Sequence, residues 1–435
     1  MVKSVIKISF LYYMIVVLHH NTAGQTLYSI SNYSLGSAKM TVGIKGEFQI
    51  NSTALTTKLY DAFIFGKYID NTTKDAISKR LVHYNKIGAD LNSGLYFAHK
   101  IDTFLGKTGY SYFCSINDRQ HGDALFTEDL FKVGFYGNKG YENDTAELGS
   151  LSAKLIKYQQ LQFGMIKKKE DGAELGFGIS FLKGQEFFQM DLYRGYLFTS
   201  TKGNYIDLDL LYQISQSNQN NKNWDAMNGW GFSGAVFYNI PYNMFQSSEG
   251  NEENIPNRWH GYLRMEAYDL GFIRWNNNSL VRIKDSTYHY DGIEIYNLLQ
   301  IEDSVLQTAV DSLEDMIKPG EYIMSFTSII PGTFHLKMHQ ESLSGGYFAL
   351  GTILRMFANY SPTIYLKGGH TIKDNYRLGG SFELGGYGKF NIGIETSAHL
   401  GSFELALGSR SIMGFILPEI SGGVSLFISV KKSFN

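Results

Sequence analysis

The sequence predicts an all-β protein: a closed antiparallel β-barrel that crosses a membrane, with about 14 strands (12 to 16 compatible) and one or two helical insertions. Three observations point there. Apolar and polar residues alternate with a period of two from residue 38 to the C-terminus, with no linker or change of composition between. The alternating segments run about 9–13 residues, the length a tilted membrane strand needs. The polar faces carry Gly, Ser, Lys, Glu and Asp in mid-strand, which a packed apolar core would reject unless every group were partnered.

Along the chain, the first element is an export signal. Lys3 and Lys7 precede an apolar run from Ile8 to Leu18, and Thr22-Ala23-Gly24 supply small residues for cleavage near Gly24. The run is too short to cross a hydrocarbon layer of ~30 Å. Residues 1–24 are therefore expected to be removed and residues 25–435 to form the barrel. The clearest strand is 38–50, where Ala38, Met40, Val42, Ile44, Phe48 and Ile50 alternate with Lys39, Thr41, Lys45, Glu47 and Gln49. The pattern returns at 110–117, 173–181, 206–215, 230–240 and 424–431, with weaker runs at 260–275, 345–358, 376–388 and 391–407. A barrel turns its oily face to lipid and its polar face to the lumen. That places Lys39, Lys45, Glu47, Asp207 and Asp209 as candidate lumen residues, able to tune selectivity or simply to pair with one another. Aromatics near strand ends, including Phe434 in the last strand, suit interfacial girdles.

Two stretches break the period. Asp291 and Glu294 form a capping-box pattern ahead of helically spaced Ile295, Leu298, Leu299, Val305 and Leu306, and Pro319-Gly320 ends it. This predicts an amphipathic, acidic helix over about 291–319, packed on the barrel end or in the lumen. Residues 72–84 form a weaker candidate, with Ile77 and Leu81 on one face.

Composition and motifs exclude several functions. The 39 basic and 41 acidic side chains nearly balance, which argues against a nucleic-acid partner. One cysteine, Cys114, rules out a disulfide framework. No nucleophile elbow, phosphate loop or zinc-protease motif is present. His335 and His339 share a strand face but lie about 13 Å apart, too far for one metal. Gly385-Gly386-Tyr387-Gly388-Lys389 reads as a bend rather than a phosphate cradle. No enzyme activity, metal or cofactor is expected.

Residues 128–215 add a resemblance. Asp129-Leu130-Phe131, then Tyr136-Gly137-Asn138 and Gly140, then Gln162-Phe163-Gly164-Met165 and the pair 173–181 and 187–198 resemble a family of Bacteroidota outer-membrane β-barrels of unknown function, in which a Gly-Asn turn follows a strand. The start of the insertion, Tyr290 to Ile293, and the run Gly401 to Gly408 are similar too. The resemblance implies kinship with fatty-acid-transporter-like barrels and with barrels of gliding and type IX secretion, and hence a bacterial outer-membrane location. It implies no site residues. With so few residues ahead of Ser37, a conventional N-terminal plug is not expected.

Two functions follow as expectations: a pore for small, even hydrophobic, molecules, or a non-transporting barrel that docks secretion, gliding or surface-assembly partners. Outer-membrane lipid is the expected surroundings in both.

Overall fold

The computed structural model describes residues 27–242 apart from 219 and 222, residues 259–291, and residues 320–435 apart from 343, 373 and 374. The signal sequence, and the insertion helix beyond Asp291, lie outside the described residues.

The strands are β1 (Met40–Ser52), β2 (Tyr84–Ile101), β3 (Tyr110–Thr127), β4 (Asp144–Glu147), β5 (Leu151–Lys168), β6 (Glu174–Thr199), β7 (Ile206–Gln216), β8 (Gly229–Pro241), β9 (Trp259–Trp275), β10 (Leu280–Tyr290), β11 (Gly320–Ile323), β12 (Thr327–Ile329), β13 (Thr333–Ser342), β14 (Gly346–Arg355), β15 (Ser361–Ile372), β16 (Tyr376–Gly386), β17 (Phe390–Leu400), β18 (Phe403–Ser409) and β19 (Gly423–Phe434). Pairing runs β1–β2–β3–β5–β6–β8–β9–β13–β14–β15–β16–β17–β18–β19 and returns to β1, so 14 antiparallel strands close a barrel. Closure gives every wall strand a neighbour on both sides, the condition for a sheet to sit in lipid.

The period-two pattern sorts the two faces. Val42 and Ile44 on β1, Leu91 and Leu95 on β2, Phe177 and Ile179 on β6, Ile364 and Leu366 on β15 and Ile392 and Ile394 on β17 are exposed on the outer surface. An apolar girdle of this extent greatly exceeds the few hundred Å² that soluble monomers expose, and it fits acyl chains. The opposite parity points inward and is buried. Among the described residues no helix is long and apolar enough to span a membrane.

The two ends differ. At the end holding both chain termini, β5–β6, β13–β14, β15–β16 and β17–β18 are joined by short turns. The far end carries the helices α1 (Thr57–Ile64), α2 (Asn71–Ser78), α3 (Glu128–Tyr136) and α4 (Met413–Ile416). Leu59, Ile77, Phe126 and Phe131 form a small core that seats α1–α3 over the ends of β2 and β3. Asp70 caps α2 by accepting from the Thr73 amide at 2.7 Å, and these hydrogen bonds hold its carboxyl well below the usual range.

Several sequence expectations change. The expected pair 173–181 and 187–198 is one strand, β6, carried through a register shift opposite Lys157 and Tyr158. The run at 391–407 is two strands, split where Gly401 adopts φ +63°. Residues 128–136 form a helix rather than a strand; Thr127 caps it, and Gly137, at φ +78°, ends it. The 72–84 candidate divides into α2 and the start of β2. A helix of two turns is marginal by itself and takes its stability from packing, which local spacing does not reveal.

β6 outgrows the barrel. Glu174–Gly184 pairs with β8 in the wall, whereas Phe188–Thr199 pairs with β7, which pairs with β10 and then β11. These strands form a fin at the far end. His289 on β10 stands opposite Asp207 on β7; its Nδ1 bonds Asp207, and its Nε2 lies 2.9 Å from Asp291. Hydrogen bonds to both carboxylates raise its pKa. Protonated, the ring donates to both acids. Its stabilisation of the fin is therefore complete below the ordinary imidazole pKa of about 6.5 and is lost as pH climbs through the raised folded value. Amide exchange in β7 and β10 should accelerate over that rise, and His289→Gln should abolish the dependence. An unchanged exchange profile in the variant would contradict this assignment.

Candidate functional site

The closed wall encloses a lumen, and the chain itself fills it. Residues 27–37 enter from the terminal end as an internal plug, contrary to expectation. Shortness is no obstacle, because a single 3₁₀ turn at Ile30–Tyr33 suffices. Ile30, Tyr33 and Leu35 pack against Tyr96, Phe113, Ile166 and Phe237 from the wall. The inward glycines explain the fit: a Cβ on Gly176 would lie 2.1 Å from the Phe237 ring, so only glycine leaves room for the aromatic.

Polar groups lock the plug. Glu266 of β9 accepts from Ser29 Oγ, from Ser31 Oγ at 2.9 Å and from His335 Nδ1 at 2.5 Å. His335 Nε2 lies 2.7 Å from the Tyr365 hydroxyl. Lys45 donates to Tyr33 OH at 2.8 Å and to the Leu27 carbonyl at 3.2 Å, and its ammonium sits 4.3 Å from the Tyr28 ring centre.

Above the plug, ion pairs bridge the lumen. Arg119 of β3 meets Asp269 of β9 at 2.5 Å. Arg410 meets Glu47 at 2.5 Å. Arg355 at the end of β14 meets Asp90 of β2 at 2.9 Å. β2 and β14 are diametrically opposed in the ring: β3, β5, β6, β8, β9 and β13 separate them one way, and β15 to β19 and β1 the other. The reach is possible because residues 356–360, joining β14 to β15, fold inward as a strap. Asn359 donates its backbone N–H to Asp123 Oδ1 at 3.0 Å and its Nδ2 at 2.6 Å, and Lys154 Nζ holds the Phe357 carbonyl at 3.1 Å. His121 lies between Asp90 (2.8 Å) and Asp123 (2.9 Å), with Tyr387 OH 3.2 Å from its Nε2. Gly385 and Gly386, at φ +103° and +72°, turn the chain so that Tyr387 enters the lumen, and Gly88 opposite leaves space for its ring.

Between plug and strap remains a cavity of about 40 Å³, lined by Tyr28, Glu47, Asp90, Arg119, Arg355 and Arg410 among others. That holds roughly three waters. Elsewhere Ile156, Leu182, Phe187, Trp275 and Ile330 form a buried apolar cluster in the far-end interior.

Of the predicted lumen residues, Lys45 and Glu47 lie in this interior. Lys39 is exposed, at the rim just before β1. Asp207 and Asp209 are outside the lumen: β7 pairs with the outer half of β6 and with β10, so its polar residues face their fin partners, Asp209 meeting Arg194 Nε at 2.8 Å. Strand alternation is the same in fin and wall, so spacing could not separate them. Sequence reasoning missed Asp90, Arg119, His121, Asp123, Glu266 and Arg355. Extending the polar parity of Ser115 and Asn117 along β3 reaches 119, 121 and 123, but nothing local names their partners across the barrel. Among the described residues no group of His, Cys, Asp and Glu is arranged to hold a metal ion.

Residues 260–409, spanning β9 to β18, match the family of unknown function DUF5723. No curated protein matches the chain. Among solved structures, the Pseudomonas putida toluene transporter TodX is 7% identical over 92% of this chain and 91% of its own, with a TM-score of 0.41. A Pseudomonas aeruginosa FadL homologue is 9% identical, covering 91% of each chain, also at 0.41. The translocator domain of the autotransporter NalP from Neisseria meningitidis is 7% identical over 93% of this chain and 91% of its own, at 0.32. All are barrels, and at these scores they carry no argument about activity.

Proposed function

We propose that the protein is a gated conduit for small polar solutes in a bacterial outer membrane, closed in the state described. The observation that carries this reading is the lumen's makeup: paired charges line its middle, and two of the elements that fill it, a terminal segment and a loop, are not part of the wall. A purely structural interior is more stable when filled with apolar side chains, because buried ion pairs recover little beyond their desolvation cost. Paired charges become useful when an open state hydrates them. The same lining disfavours the hydrophobic solutes that the sequence left open. Four short turns on the terminal side and the helical cap on the other suit a periplasmic plug and an extracellular strap. Export through cleavage near Gly24 belongs to the same reading.

Plug and strap lie in series, so either alone suffices to block flow. In planar bilayers the intact protein should be silent. A variant lacking residues 27–37 and carrying Asp123→Ala should conduct, and it should pass ions better than toluene-like solutes. Silence of the folded double variant would remove the conduit reading. It would leave the second reading, a docking barrel of a secretion or gliding assembly, which the α1–α3 cap and the fin favour because they present structured surface outside the membrane. Partners that co-purify with the intact protein and are lost when residues 292–319 are deleted would support that alternative.

A further inference from the structure

We infer that the loop between β18 and β19, residues 410–422, is a lipid anchor whose Phe415, Ile416, Leu417 and Ile420 lie among acyl chains at the upper edge of the membrane. Its placement is outward. Ser411 turns in and bonds the Gly423 carbonyl at 2.9 Å, but Gly414 packs against Val424, which shares the outward parity of Ile428. The Ile412 amide bonds the carbonyl of Ile392, a residue of the outer girdle, at 3.0 Å.

The second half of the loop is tied to α1 and to Arg80. Thr57 and Lys58 of α1 donate backbone N–H groups to the carbonyls of Ser421 and Pro418, each at 2.9 Å, and Arg80 Nη1 donates to the Ile420 carbonyl at 2.6 Å. Ile416 is nonetheless 57% exposed and Ile420 66%. A fixed run of exposed apolar residues is unfavourable in water unless something covers it.

Continuity with the girdle identifies lipid as the cover. On β16 and β17 the outward residues stay apolar to the strand ends, at Leu384 and Phe390, directly beside this loop. On β3, by contrast, Asp118 and Gln120 follow Ile116 on the outward parity, so that side of the wall leaves the hydrocarbon well before its strand ends. Exposed Lys389, next to Phe390, stands where a phosphate headgroup would be.

The test places an environment-sensitive NBD dye at Ile416→Cys in a Cys114→Ser background, with the barrel in phosphatidylcholine nanodiscs. Leu105→Cys, in an exposed turn at the terminal end, serves as the water reference, and Ile364→Cys in the girdle as the lipid reference. At position 416 the emission should be blue-shifted, and lipids spin-labelled near the headgroup should quench it more than lipids labelled at the chain end. If Ile416→Cys fails to fold, Ile420→Cys is read in its place. Emission matching Leu105, without quenching, would overturn the proposal and leave the patch to a protein partner.

Discussion

Asp123→Ala should release the strap. Asp123 is the acceptor for both Asn359 donors and for His121 Nε2, so its loss leaves the half-buried Asn359 amide without its acceptor, while Asn359 Nδ2 and His121 Nε2 keep only the Ser152 carbonyl and the Tyr387 hydroxyl beside them. An unsatisfied buried donor costs about 1–3 kcal/mol, and a destabilisation within that range is expected. Across the lumen residues 356–360 are otherwise held by Lys154, the Ser152 carbonyl and the Arg355–Asp90 pair, while Met356 bonds the Gly332 carbonyl and Tyr360 bonds Thr363 and packs on Tyr387. A thiol introduced at half-buried Ala358, in a Cys114→Ser background, should then react with a bulky maleimide from the far end faster than in the parent. Asp123→Asn, which keeps an acceptor oxygen, should react at an intermediate rate. Equal labelling in all three would show that the strap is held by something other than this carboxylate.

The second large effect is expected at Glu266. Glu266→Ala removes the acceptor shared by Ser29, Ser31 and His335 and should loosen the plug. The apolar contacts of Ile30, Tyr33 and Leu35 remain, each side chain contributing about 1.5–3 kcal/mol when fully buried, so the plug should exchange between seated and free rather than leave entirely. Protease added from the terminal end should cut within residues 27–37 of Glu266→Ala and spare the parent. Glu266→Gln, which still accepts, should resist. Current should stay low in Glu266→Ala, because the strap still blocks the path, and should rise more than additively when Asp123→Ala is combined with it. Additive currents would mean that the two closures do not act in series.

The two sites were not equally legible in the sequence. Lys45 and Glu47 could be placed by alternation, because a strand assigns faces by parity and β1 lies wholly in the wall. Asp207 and Asp209 obeyed the same parity and were misplaced, because a strand carries no local mark of which sheet it joins. The plug was missed for a related reason. Leu27 to Leu35 is too short and irregular to show a period, and its place is fixed by Glu266 and Lys45, which come from distant points of the chain.

What the chain determined by itself was the barrel, its membrane-facing girdle and its strand number. The first two are set by a local rule, since side chains alternate along an extended backbone and a sheet in lipid must close to satisfy its hydrogen bonds, whereas the strand number follows from chain length shared among strands and their loops. What lies inside was decided only by the tertiary structure. Arg355 and Asp90 meet because the ring brings opposite walls together, and Arg119 and Asp269 because it curves β3 toward β9, and no local pattern records a partner more than a hundred residues away. Whether such a lumen is open or shut rests on those long-range pairs, so it became readable only once the barrel had closed.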